Sequence, residues 1–94
     1  MPQQHSFVAA KIGLHARAAA VFVRAVNETG LPVTIRKPDG LPVDARSLLQ
    51  VMTEDFAHGC QVVLEVDQDE LSGDESSQEL SEALERLSAV LETS

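Results

Sequence analysis

Gly13-Leu14-His15-Ala16-Arg17 is the stretch on which the reading of this chain turns. An apolar run from Ala18 to Val26 follows it and predicts a helix. Ahead of it Phe7 to Ala10 reads as strand, joined to the histidine by Lys11-Ile12-Gly13-Leu14. The order of strand, tight bend, histidine and helix places an imidazole at a helix N-terminus. Unpaired backbone N–H groups gather there, and the positive end of the helix dipole stabilises an anion. His15 takes the N-cap position, although Ser, Thr, Asp and Asn are the side chains preferred there. That mismatch hints at a functional reason for the histidine. Leu14, just before the cap, is placed to staple onto the helix and set its entry angle. Arg17, two residues on, offers a forked donor matched to phosphate.

Outward from this stretch the chain alternates strands and helices. Residues 4 to 10 predict the first strand, with Phe7 and Ala9 on one face and Ser6 and Val8 on the other. The first helix is expected from Ala16 to about Asn27, with Ala19, Phe22, Val23 and Val26 as its buried stripe. Arg17, Ala20, Arg24 and Asn27 fall on another face, a shallow basic strip open to a partner. Gly30 ends the helix, free to turn left-handed. Leu31 to Lys37 predicts a second strand, with Pro32 near its start. Lys37-Pro38-Asp39-Gly40 predicts a turn in which proline presets φ and glycine accepts a positive φ. Leu41 to Val43 predicts a short third strand.

Ser47 with Gln50 three residues later is a capping box, so Ser47 starts a second helix. Leu48, Leu49, Val51, Met52 and Phe56 supply more apolar surface than a short helix needs for a core. Leu48, Leu49 and Met52 are therefore a candidate docking patch. Gln61 to Val66 alternates as a fourth strand, and Cys60 at its edge reads as a packing residue. Asp67 to Ser77 is an acidic loop. Ser76 with Glu79 caps a last helix, in which Leu80, Leu84, Leu87 and Leu91 face the core and Ala83 and Val90 widen the stripe. Glu79, Glu82 and Glu85 of that helix point outward.

Composition narrows the function. The 94 residues carry a net charge of −8, which is unevenly spread. Residues 1 to 53 sum to +3 and residues 54 to 94 to −11. A phosphate backbone needs a strong basic stripe, so nucleic acid is not an expected partner. A weakly positive site on an acidic body instead steers toward an acidic protein surface. The single cysteine allows no internal disulfide and suits a reducing compartment. Met1-Pro2-Gln3-Gln4-His5 has no basic n-region or long apolar h-region, and no run nears the ~20 apolar residues of a membrane span. A cytoplasmic protein of one domain, residues 1–94, is expected, without membrane insertion. No His or Cys has a companion at ligand spacing, so no metal and no cofactor are expected, and His5 and His58 read as structural or surface residues.

Gly-Leu-His-Ala-Arg before an alanine-rich helix resembles the active-site signature of HPr, the histidine phosphocarrier family of the bacterial sugar phosphotransferase system. Ser-Leu-Leu-Gln-Val-Met from Ser47 resembles that family's second signature. One departure is Ala18, where the family usually has proline after the arginine; the substitution is expected to be tolerated at a cost under about 1 kcal/mol. Bridging strands with helices and burying three apolar stripes requires two layers, an α+β open-faced sandwich of order βαββαβα. The resemblance adds that its four-stranded sheet is antiparallel.

The resemblance implies that His15 is phosphorylated at Nδ1 by phosphorylated enzyme I and passes the group to the A domain of a sugar permease (enzyme II). Neutral imidazole, with an ordinary pKa of about 6.5, is nucleophilic near neutral pH. Arg17 would hold the phosphate, and the N–H groups of Ala16 and Arg17 would add donors. It implies a carrier, not a stand-alone enzyme, and a monomer is expected. Ser47 matches a serine that many family members use for regulation, which would bring a serine kinase/phosphorylase and a transcription regulator as partners. Phosphate there is tolerated by a helix N-terminus. Three alternatives remain: a regulatory module acting through Ser47 and the Leu48–Met52 patch with His15 idle, a carrier in a nitrogen-related or fused phosphotransfer chain, and a phosphohistidine enzyme. The last needs more basic residues around the histidine than seven Lys and Arg in the chain readily supply.

Overall fold

A computed structural model describes every residue except Met1, Ser72, Asp74 and Ser94. The elements are β1 (Gln3–Phe7), α1 (Ala16–Thr29), β2 (Val33–Arg36), β3 (Val43–Asp44), α2 (Leu48–Thr53), β4 (Gln61–Val66) and α3 (Ser77–Thr93), with a 3₁₀ turn at Gln68–Glu70. The sheet order is β1-β4-β2-β3 and every pairing is antiparallel. The fold is the open-faced α+β sandwich expected from the order of elements. β4 lies between β1 and β2, with Ile35 opposite Leu64 and Ser6 opposite Val62.

The helices bury their stripes on one face of this sheet. Ala19, Phe22, Val23 and Val26 of α1 and Leu80, Ala83, Leu84, Leu87 and Leu91 of α3 join Val33, Ile35, Val62, Leu64 and Val66 in one core. Burying each large aliphatic or aromatic side chain contributes about 1.5–3 kcal/mol. The polar members of this interior are satisfied: Ser88 donates to the Ser6 hydroxyl at 2.9 Å, and Ser6 donates to Glu92 at 2.9 Å. This link ties β1 to α3. On the open face Arg36 Nε meets Glu65 at 2.8 Å and Gln3 donates to Glu65 at 2.7 Å.

Several boundaries differ from the sequence reading, each for a local reason. β1 stops at Phe7 instead of reaching residue 10, because its partner β4 begins at Gln61, opposite Phe7. The N–H of Ala9 then turns to the carbonyl of Leu91 on α3. β2 spans 33–36 rather than 31–37, and β3 lies at Val43–Asp44 rather than 41–43. Leu41 is 83% exposed and outside the ladder, since only Val43 and Asp44 meet Ile35 and Thr34. Gly40 closes the turn, donating to Lys37 O at 2.9 Å, but as its fourth residue, where no left-handed φ is required.

α1 runs two residues past Asn27, and Gly30 ends it at φ +70°. Ser47 Oγ caps α2 by accepting from Gln50 N, but the reciprocal half of the box is absent: Gln50 Oε1 accepts from Asp44 N instead, at 3.0 Å. The 67–77 connection holds the 3₁₀ turn, capped by Asp67, while Ser72 and Asp74 lie outside the described residues. Ser76 Oγ accepts from Glu79 N at the start of α3. No described helix is long and apolar enough to cross a membrane.

Candidate functional site

The His15 stretch is held from below by the segment that follows α2. Gly13 stands at φ +82°, and a Cβ there would lie 2.6 Å from the carbonyl oxygen of Phe56. Only glycine fits both the conformation and the space. Leu14 donates its N–H to that same carbonyl at 2.8 Å, and its side chain is buried in the core. The chain is thus pinned immediately before the histidine.

His15 is the N-cap of α1 with extended backbone, φ −129° and ψ 159°, and its side chain makes no cap hydrogen bond. Its carbonyl accepts from Ala19 N at 3.5 Å. No described main-chain carbonyl accepts from the N–H groups of Ala16, Arg17 or Ala18. They form the unpaired donor cluster that a helix start presents. The imidazole is 35% exposed, neither sealed in the interior nor fully in solvent.

Asp55 completes the site, and the sequence reading did not single it out. Its Oδ1 lies 2.9 Å from His15 Nε2, and the carboxylate side chain is 75% exposed. Asp55 stands at φ +59° just beyond α2, and Ala16 stands at φ +47°. Among the described residues these are the only non-glycine residues at positive φ, and both border His15. The left-handed region costs an ordinary residue about 1–2 kcal/mol, with Asp among the types that tolerate it. A signal for this conformation existed, an Asp directly after a short helix. No local pattern could reveal a partner forty positions away.

The other candidate residues divide into two groups. Arg17 is exposed, and its guanidinium has no ion-pair partner among the described residues. It lines a groove of about 460 Å³ with Ile12, Ala18, Val21, Val90 and Thr93. Ile12 and Val21, which line this groove, are exposed apolar residues that sequence reasoning passed over. Ala20 and Arg24 are exposed on α1, with Arg24 loosely paired to Glu28 at 3.9 Å. Asn27 donates to Val23 O at 3.0 Å and to Arg46 O at 3.3 Å, so its amide ties α1 to the approach to α2. With His15 meeting Asp55 at one end and Asn27 meeting Arg46 at the other, α2 lies beside α1 in the opposite sense.

On α2 the apolar surplus is real. Leu49 is 76% exposed and Leu48 is exposed, whereas Met52 is half-buried against the core and Val51 and Phe56 are fully buried. The arginine next to Ser47 is engaged: Arg46 bonds both oxygens of Asp44 at 2.9 and 3.1 Å and reaches Glu70 at 3.3 Å. These hydrogen bonds hold the Asp44 carboxyl below the ordinary range. Cys60 is half-buried, with its thiol directed to Gln61 O. His5 and His58 are exposed. Among the described residues no group of three or more His, Cys, Asp or Glu is placed to hold a metal ion.

The chain is similar to known proteins along its length. The family model described as PTS HPr component phosphorylation site matches residues 3–93. A phosphocarrier protein HPr of Streptomyces coelicolor is 53% identical over 55 residues, which cover 58% of this chain and 59% of that protein. The HPr-like protein Crh of Bacillus subtilis is 36% identical over 92 residues, 98% of this chain and 96% of Crh. The crystal structure of a phosphocarrier protein HPr from Bacillus anthracis superposes with a TM-score of 0.77 at 31% identity, covering 95% of this chain and 94% of that one.

Proposed function

The chain belongs to the HPr family, whose members are phosphocarriers and not stand-alone catalysts, and from that premise we propose that His15 carries a phosphoryl group. Phosphorylated enzyme I gives the group to Nδ1 of His15, and the A domain of a sugar permease takes it onward. The observation that carries this reading is the position of the imidazole. It stands half-exposed at the N-terminus of α1, beside the amides of Ala16, Arg17 and Ala18, which no described main-chain carbonyl engages. Those amides, with the uncommitted guanidinium of Arg17, give the three phosphoryl oxygens donors that need no rearrangement. The carrier works as a cytoplasmic monomer of one domain. Ala20, Arg24, Asn27, Leu48, Leu49 and Met52 form the surface on which both partners dock, and the Asn27 amide also ties α1 to the approach to α2.

Incubation with enzyme I, phosphoenolpyruvate and magnesium tests this directly. An acid-labile, alkali-stable phosphate is expected on the native chain and absent from His15→Ala. Equal labelling of the two would remove His15 from the function.

A second reading is favoured by the 36% identity to the HPr-like protein Crh over nearly the whole chain. In it a serine kinase/phosphorylase adds and removes phosphate at Ser47, and exposed Leu48 and Leu49 present the modified helix start to a transcription regulator. An acid-stable label from an ATP-dependent serine kinase, lost in Ser47→Ala, separates this reading from the first.

A further inference from the structure

Resting on the carrier reading of His15, we propose that Asp55 is a positioning residue that fixes the hydrogen of the imidazole on Nε2 and so presents Nδ1 as the nucleophile. An ionised carboxylate can only accept a hydrogen bond. At 2.9 Å from Asp55 Oδ1, His15 Nε2 must therefore donate, which leaves the lone pair of the neutral ring on Nδ1. No described group bonds Nδ1. The same contact fixes the ring's orientation, because the backbone on both sides is pinned. Leu14 is tied to Phe56, and Asp55 is the residue before Phe56. One short segment after α2 thus grips the main chain just before the reacting residue and the side chain of that residue.

Asp55 occupies a backbone position that favours glycine, φ +59°. A glycine there would relieve strain, yet an aspartate stands in its place, and its carboxylate meets the histidine.

The transfer balances with this arrangement. The Nδ1 lone pair forms the new N–P bond, and the bond from phosphorus to the donor breaks, its electron pair leaving with the donor. The hydrogen stays on Nε2, so the phosphorylated ring carries a positive charge that faces the Asp55 carboxylate. When the next acceptor attacks phosphorus, the pair returns to Nδ1 and the ring is neutral again, with Nε2 still protonated. No proton moves in either step.

The test compares the native chain with Asp55→Gly and Asp55→Asn. Glycine keeps the left-handed conformation, so Asp55→Gly folds, which its melting temperature verifies at or above that of the native chain. Asparagine keeps an acceptor oxygen without the charge. In 15N spectra of the neutral ring, the native chain and Asp55→Asn are expected to show the Nε2-protonated tautomer almost alone, and Asp55→Gly a mixture. Uptake of phosphoryl groups from phosphorylated enzyme I should slow about tenfold in Asp55→Gly and less in Asp55→Asn, as misorientation of a reacting group predicts. An unchanged tautomer, or an unchanged rate, in Asp55→Gly overturns the proposal and leaves the carrier reading standing. A native chain that takes up no phosphoryl group overturns the carrier reading, while the spectra still report whether Asp55 sets the tautomer.

Discussion

Two helices of this protein begin in opposite ways. α2 is closed by its own cap, since Ser47 Oγ accepts the N–H of Gln50. α1 is left open, since His15 makes no side-chain cap bond and the next three amides have no main-chain acceptor among the described residues. The closed start gains a capping bond that stabilises the fold; the open one forgoes that gain and leaves its donors uncapped. A serine in place of His15 would recover about 1 kcal/mol of capping energy. The open start is instead held rigid from outside, by Gly13 and Leu14 against Phe56 and by Asp55 against the imidazole. The two helix starts thus differ in where their restraint originates.

The largest effect that probes this contrast is His15→Ala, which should abolish the acid-labile label while melting close to the native chain, because no cap bond is lost and the bond to Asp55 is solvent-exposed. A melting temperature lowered by ten degrees or more would show that His15 stabilises α1 after all. Next comes Gly13→Ala. Its Cβ would meet Phe56 O at 2.6 Å from a left-handed backbone, so a destabilisation of about 2–3 kcal/mol is expected in urea unfolding. A neutral outcome would mean that the loop before α1 is not pinned.

Ser47→Ala should cost about 1 kcal/mol, near 4–8 °C in melting temperature, and leave phosphorylation of His15 intact. Loss of the His15 label in that variant would show that the two helix starts are coupled.

The sheet beneath both starts supplies a smaller effect with a pH signature. Hydrogen bonds from Arg36 and then Gln3 hold the Glu65 carboxyl below its ordinary 4.5. The folded chain therefore binds fewer protons there than the unfolded chain. The stabilisation is complete above about pH 4.5 and disappears as the pH falls through the depressed value. Glu65→Gln should flatten that part of the acid melting curve by roughly 1 kcal/mol or less. An unchanged curve would mean that the Arg36 pair adds nothing. The smallest effect is Ala18→Pro. The Ala18 N–H has no acceptor among the described residues, so proline removes no bond seen there and should raise stability by about 0.4–1 kcal/mol. A fall in melting temperature would mean that the backbone at Ala18 does not suit proline.

Much of this contrast is legible in the amino-acid sequence. The period of Ala19, Phe22, Val23 and Val26 marked the buried stripe of α1 residue for residue, because a helix that packs on a sheet must repeat its apolar positions every 3.6 residues. Ser47 and Ser76 announced the starts of α2 and α3, because capping is a bond between residues two or three apart. Strand ends were less legible. β1 stops where β4 stops accompanying it, and β3 shrinks to two residues, because a strand lasts only as long as its partner.

Sequence alone determined the order of elements, the aliphatic core and the histidine at the head of α1, since each rests on periodicity or on contacts within a few residues. Tertiary structure alone decided that the segment after α2 would underlie that histidine. Phe56 O against Gly13 and Asp55 against His15 join positions some forty residues apart, and only the packing of α2 beside α1 brings them within bonding distance.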